Sequence, residues 1–296
     1  FLVWYIIYGY QPLFHSDSAV KVLLAREIVE TGSYFPRDWN YINGDIFVFF
    51  GHTFIIPLLV FMPAGFTAHA ISGLISATLI LSGTWFVTGL TQASITKRVS
   101  VVAIMAAGFS GFAAENLYGQ VSYGTFYYFS CYILFFSWKF IKSRRSNRKY
   151  FAIALVIIMT LAFWGNPKRA MIMYLIPLVF AISFYAWQCF TNHINDGKKT
   201  LSVLIPIVTG VLLGTVFHVI TSSSVNNTLV ILNMRWLSYE GMLKNASLFL
   251  KQYMVLFNGL PTAGNAVVSK TSVYEAIRFA SALTLIVLIV SSLKNT

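Results

Sequence analysis

Apolar residues come in long uninterrupted runs along the chain, and charge is confined to short segments between them. Residues 66–90 (FTAHAISGLISATLILSGTWFVTGL), 150–164, 170–187 and 201–220 contain almost no charge. A helix that crosses the hydrocarbon core of a bilayer needs roughly 20 apolar residues, with about 17 the practical minimum. Several runs reach that length and the shorter ones border on further apolar residues. The pattern predicts an all-α integral membrane protein, a single transmembrane domain over 1–296. Its spans are 1–10, 66–90, 99–114, 123–140, 150–164, 170–187, 201–220 and 272–292. The chain opens at Phe1 already inside an apolar run (FLVWYIIYGY), which reads as a first span cut short rather than a signal peptide.

Composition agrees: of 296 residues 57% are hydrophobic and 10% charged, against about 25% charged in a soluble domain. The net charge of +12 does not mark a nucleic-acid surface, because the basic residues cluster in loops, where they set membrane orientation. Lys97 and Arg98, the cluster from Lys139 to Lys149, Lys198 and Lys199, and Lys294 together hold eleven basic residues and one acid, Asp196. If these segments are cytoplasmic, everything else carries a net of only +2, as the positive-inside rule requires. The same count keeps residues 46–62 (IFVFFGHTFIIPLLVFM) from crossing, since a crossing there would turn the KSRRSNRK cluster outward. That stretch, with Gly51, His52 and Pro57, reads as an interfacial or re-entrant helix. Two outer segments follow, 11–65 and 221–271. Cys131 and Cys189 offer neither a disulfide framework nor a metal-ligand spacing.

Candidate chemistry lies in the first outer segment, where five of the nine acidic residues fall between Asp17 and Asp45. Asp17 precedes a helical stretch, Ser18 to Thr31. Val22, Leu24, Ala25, Ile28 and Val29 share one side of it, and Arg26, Glu27 and Glu30 another, an amphipathicity suited to the interface. Asp17 reads as an N-cap with an ion pair to Lys21, or as a general base for an acceptor hydroxyl. Asp38 and Asp45 sit among turn residues (Pro36, Asn43, Gly44) and read first as turn formers, then as support for the loop or the acceptor. His52 reads as a packed histidine or a donor near a phosphate. A divalent ion is not required, and spacings of 21 and 7 residues between Asp17, Asp38 and Asp45 give no dedicated cage. Between two spans, Trp164-Gly165-Asn166-Pro167-Lys168-Arg169 puts adjacent cations at the mouth of a bundle. There they snorkel to lipid headgroups or hold a phosphate, Arg bidentately and Lys as a point charge. In the second outer segment Arg235, Lys244 and Lys251 lie among aromatic residues, an anchoring pattern, with Arg235 a further candidate to reach the site.

The order of features in residues 1–90 resembles the first outer loop of GT-C integral-membrane glycosyltransferases. A first span is followed by His15-Ser16-Asp17-Ser18, the helix LLAREIVETGSYFP (Leu23 to Pro36), a Trp/Asn/Gly/Asp turn, an apolar interfacial stretch and a second span. The branch it is most similar to is that of the lipid A aminoarabinose transferases and protein O-mannosyltransferases. There an Asp or Glu just after the first span is the catalytic base, leading into an A-R-E-[IM] helix, and Asp17 and Arg26-Glu27 match by position. The chain departs from that pattern at Phe50-Gly51-His52, where many relatives have Lys-Pro-Pro. It departs again at Glu115 before the fourth span. The resemblance implies a sugar donor on a polyprenyl phosphate, an inverting transfer at the outer membrane face, Asp17 as base, and Lys168 and Arg169 against the leaving phosphate. It implies a bacterial inner membrane with the site facing the periplasm or exterior. The competing class is a transporter or flippase of a lipid-linked or anionic solute. It predicts charge at mid-membrane and helices broken there, whereas here the middles of the spans are almost uncharged. A non-catalytic relative is the third reading.

Overall fold

The computed structural model describes residues 1–108, 110–192, 196–228, 237–260 and 269–294, which are almost wholly helical. The chain divides into two compact units. One comprises Phe1–Ala106 with Asn116–Val230, the other Ala107–Glu115 with Ile231–Thr296. In the first unit the principal helices are α1 (Ser16–Thr31), α2 (Gly51–Ile55), α3 (Phe66–Leu90) and α4 (Ile95–Ala107, whose last residue belongs to the second unit). They continue with α5 (Ser122–Lys142), α6 (Arg145–Gly165), α7 (Pro167–Thr191) and α8 (Gly197–Ser224). The second unit contains α9 (Tyr239–Leu256) and α10 (Lys270–Lys294), tied by the Tyr253 hydroxyl donating to the Ala282 carbonyl at 3.0 Å.

Among the described residues, five helices are long and apolar enough to cross a membrane: α3, α6, α7, α8 and the stretch Lys270–Leu288 of α10. The broken pair Ile95–Ala107 and Gly111–Gly119 would make six. The remaining two of the eight expected spans have identifiable reasons for falling short. Residues 1–10 contain only a three-residue helix, Leu2–Trp4, and a π turn, Tyr5–Gly9. α5 has the length, 21 residues, but Tyr123, Tyr127, Tyr128, Tyr132, Lys139 and Lys142 dilute its apolarity. It nevertheless packs between α3 and α6.

The tightest helix seam joins α6 to α8, and glycine makes it. A Cβ on Gly210 would lie 2.6 Å from Met159 Cβ, and one on Gly214 would lie 2.5 Å from the Thr160 carbonyl oxygen and 2.7 Å from Phe163 Cβ. This is the small-xxx-small arrangement that lets helix backbones approach inside a membrane, where dispersion rather than water exclusion drives association. Gly214→Ala is expected to destabilise the folded protein by about 1–3 kcal/mol through overpacking. Leu212→Ala, on the exposed face of α8, is the matched control. Detergent unfolding curves that coincide for both variants and the wild type would show that the seam tolerates the extra methyl.

The segment between the first residues and α3 is folded onto the end of the bundle. The α1 helix is capped by His15, whose ring nitrogen Nδ1 accepts from the Asp17 backbone N–H at 3.2 Å. It ends at Gly32, which takes the left-handed φ of +66° that glycine adopts without a Cβ penalty. A parallel strand pair ties this segment to the end of α8, with β1 (Asn40–Ile42) beside β2 (Asn226–Thr228). The apolar stretch forms α2 and a 3₁₀ turn, together Gly51–Val60. At 1.5 Å per residue this reaches about 15 Å, half the hydrocarbon core. Gly51 brings α2 against α3, with the Ser72 hydroxyl donating to the Gly51 carbonyl at 2.8 Å.

Candidate functional site

Asp17 occupies the second position of α1, so it does not cap the helix; His15 does. Its side chain is exposed, and among the described residues its carboxylate enters no hydrogen bond or ion pair. The helix N-terminus favours the negative charge there. Lys21 does not pair with that carboxylate either. Its ammonium donates instead to the Asp17 backbone carbonyl. Lys21 is 2% exposed, its stem against Gly51. Burial pushes its pKa down from 10.5 to about 8, and the nearby Asp17 charge opposes that fall.

Asp17 and Lys21 line a cavity of about 340 Å³ whose other walls include Asp45, Arg169, Gln120, Ser122, Tyr123, Phe50 and Phe126. On its far wall Arg169 donates from a terminal guanidinium nitrogen to Asp45 Oδ2 at 2.9 Å. Asn166 donates to Asp45 Oδ1 at 2.8 Å. The Asn166 side-chain oxygen in turn accepts from the Arg169 backbone N–H at 3.0 Å. Burial raises the Asp45 pKa, against the pull of Arg169, Asn166 and His218. The guanidinium also lies over the Phe126 ring, 5.4 Å from its centroid. Arginine carries five donors, so Asp45 fixes its place without exhausting it.

The α5 helix starts at the same cavity, with no side chain capping its N-terminus. Its preceding residue, Val121, is fully buried and holds a φ of +66°. A β-branched residue at positive φ is a true outlier, of the kind that functional sites hold in place. It turns the chain so that the first N–H groups of α5, which have no partner within the helix, begin at the cavity wall. A narrow apolar crevice continues from Arg169 and Asp45 between α5, α6 and α7, lined by Phe49, Phe129, Leu161 and Tyr174.

Several residues singled out from sequence lie elsewhere. His52 is 0% exposed, with neither ring nitrogen hydrogen-bonded among the described residues. It packs beside Tyr34 and Phe47. Burial, then the Lys21 charge, lowers its pKa to about 3, so it is neutral and out of reach of a phosphate. Arg26 is exposed and pairs with Glu30 at 3.3 Å. Neither Arg26, Glu27 nor Asp38 lines the cavity, and Asp38 stands exposed in a turn. On α1, Val22, Leu24, Ala25 and Ile28 are buried while Arg26 and Glu30 are exposed, as the amphipathic pattern expected. The departures are Val29, which is exposed, and Lys21, which is buried with the apolar side. Lys168 and Arg169 part company, because neighbours on a helical turn point about 100° apart. Arg169 lines the Asp17 cavity and Lys168 a different one. Arg235 lies outside the described residues. Sequence reasoning passed over Lys21 as a site residue, and Gln120, Ser122 and Tyr123 altogether. For Lys21 the signal was a lone cation on the apolar side of α1. For Gln120, Ser122 and Tyr123 no sequence signal pointed to the site. Comparison of the chain with protein-family models, with curated proteins and with solved structures returns no match.

Proposed function

We propose that the Asp17 cavity is the active site of a membrane glycosyltransferase of GT-C type, which moves a sugar from a polyprenyl phosphate to an acceptor hydroxyl. One observation carries this reading: a carboxylate unpaired among the described residues shares a cavity with two cations, Lys21 and Arg169, at the end of an apolar helical bundle. Asp17 takes the proton of the acceptor hydroxyl as its oxygen attacks the anomeric carbon. The bond from that carbon to the phosphate oxygen breaks, its electron pair leaves with the polyprenyl phosphate, and the configuration inverts. Lys21, the free donors of Arg169 and the first N–H groups of α5 meet the charge that grows on the leaving phosphate. Asp45 and Asn166 position Arg169. Of the two adjacent cations, only Arg169 keeps the phosphate role. The basic turn between α5 and α6 lies at the far ends of those helices from the cavity. With that turn cytoplasmic, the site faces the periplasm or exterior of a bacterial inner membrane.

The test is the purified protein in proteoliposomes, supplied with labelled polyprenyl-phosphate sugars and a mixed pool of cell-envelope acceptors. Transfer of label with release of polyprenyl phosphate is the expected result. Movement of the intact donor between leaflets, with no transfer from any donor, would make the protein a flippase instead.

A further inference from the structure

Lys168 leads to a second cavity, of about 510 Å³, on the other flank of the Asn43–Asp45 turn, between the start of α7 and the end of α8. Its polar lining includes Lys168, His218, Ser222, Ser223 and Asn227. Lys168 is exposed and enters no hydrogen bond or ion pair among the described residues. His218 donates from Nδ1 to the Trp164 carbonyl at 2.8 Å, which leaves Nε2 uncommitted among the described residues. Both serine hydroxyls spend their protons on α8 itself. Ser222 donates to the His218 carbonyl at 2.6 Å and Ser223 to the Ile220 carbonyl at 2.8 Å. Their oxygens therefore face a ligand as acceptors. Asn227 adds a buried side-chain oxygen that has no partner among the described residues.

The cavity thus offers one cation for an anion and several acceptors for hydroxyl groups. It also sits at the ends of two membrane-crossing helices. Along α8, Leu212, Val216 and Val219 are exposed, and on α7 Ile172 lies one turn beyond Lys168. A soluble phosphate would use Lys168 but leave the acceptors and the apolar flank idle. A zwitterionic choline lipid has no hydroxyl or N–H to donate. We propose that this cavity binds the headgroup of an anionic, hydroxyl-bearing glycerophospholipid of the phosphatidylglycerol type. Its phosphate meets Lys168, its glycerol hydroxyls donate to Ser222, Ser223 and Asn227, and its acyl chains lie along the exposed side of α8. The site is independent of the chemistry assigned to Asp17.

Native mass spectrometry of the full chain, released from micelles containing phosphatidylglycerol, phosphatidic acid or phosphatidylcholine, tests this. One phosphatidylglycerol is expected to stay bound, with Lys168→Gln lowering its retention about tenfold, the loss of one charge-assisted bond. A Ser222→Ala/Ser223→Ala double variant is expected to erase the preference for phosphatidylglycerol over phosphatidic acid. Melting curves confirm that each variant is folded. Equal retention of phosphatidylcholine, retention unchanged by Lys168→Gln, or displacement of the lipid by millimolar inorganic phosphate would each overturn the proposal.

Discussion

Asp17→Asn is expected to lower sugar transfer about 10²–10⁴-fold, the usual contribution of a general base, while the protein stays folded. The fold should survive because, among the described residues, the carboxylate makes no hydrogen bond or ion pair that an amide would break. His15, not Asp17, supplies the helix cap. The substitution removes the interaction of a negative charge with the N-terminus of α1, about 0.3–1 kcal/mol, and the attraction of that charge for the Lys21 ammonium. Turnover of labelled donor and a melting curve, measured on the same preparation, separate the two effects. An Asn variant that turns over at the wild-type rate would strip Asp17 of its role as base, and the cavity would need another.

The second large effect runs in opposite directions for stability and activity. Lys21→Met is expected to raise stability at pH 7 by about 3 kcal/mol, from a pKa lowered from 10.5 to about 8 at about 1.4 kcal/mol per unit. At pH 7 both the folded and the unfolded chain carry the Lys21 proton, so the full desolvation cost of the ammonium is present. As pH rises from 8 to 10.5 the folded chain releases that proton before the unfolded chain does, and wild-type stability climbs. Above 10.5 the cost is gone, so the advantage of the Met variant should fade there. Activity should move the other way, because the variant has lost a cation beside the leaving phosphate. Wild-type turnover should likewise decline as pH passes through 8. Melting temperatures at pH 7 and pH 10.5 decide the stability half. An unchanged melting temperature at pH 7 would mean that cavity water already solvates the ammonium.

Apolar runs made the membrane character and the helical class legible, because length and hydropathy are properties of a single segment. The site was legible only in part. Asp17 stood out because five of the nine acids fall between it and Asp45 and because its position after the first apolar run matches the resembled pattern. Lys21 did not, since four residues on from Asp17 it looked like half of a surface pair, and only the packing of α1 on α2 and α3 buries it. Asp45 looked like a turn former in Asn-Gly-Asp. Its hydrogen bonds to Asn166 and Arg169 span 121 and 124 residues, a distance no local pattern encodes. Lys168 and Arg169 read as one phosphate clamp because they are neighbours in sequence, and helical geometry sends them to different cavities. Val121 gave no signal at all, for a positive φ at a β-branched residue runs against local preference and exists only because the surroundings impose it.

The short strand pair has a consequence for how the protein is made. Its hydrogen bonds join residues as far apart as Asn40 and Thr228, 188 positions along the chain. At about 5–20 residues per second, the ribosome needs roughly 10–40 s to deliver the second strand after the first. During that interval β1 waits with an open edge. Asp17 and Arg169 are both made before β2. Yet the Asn43–Asp45 turn on the cavity wall is tied to Thr228 through the Asn43 N–H, at 3.0 Å, so that turn is anchored only when β2 docks. Anchoring of that turn is therefore a late event in biogenesis, and an arrested chain that stops short of residue 226 carries the carboxylate without β1's partner strand.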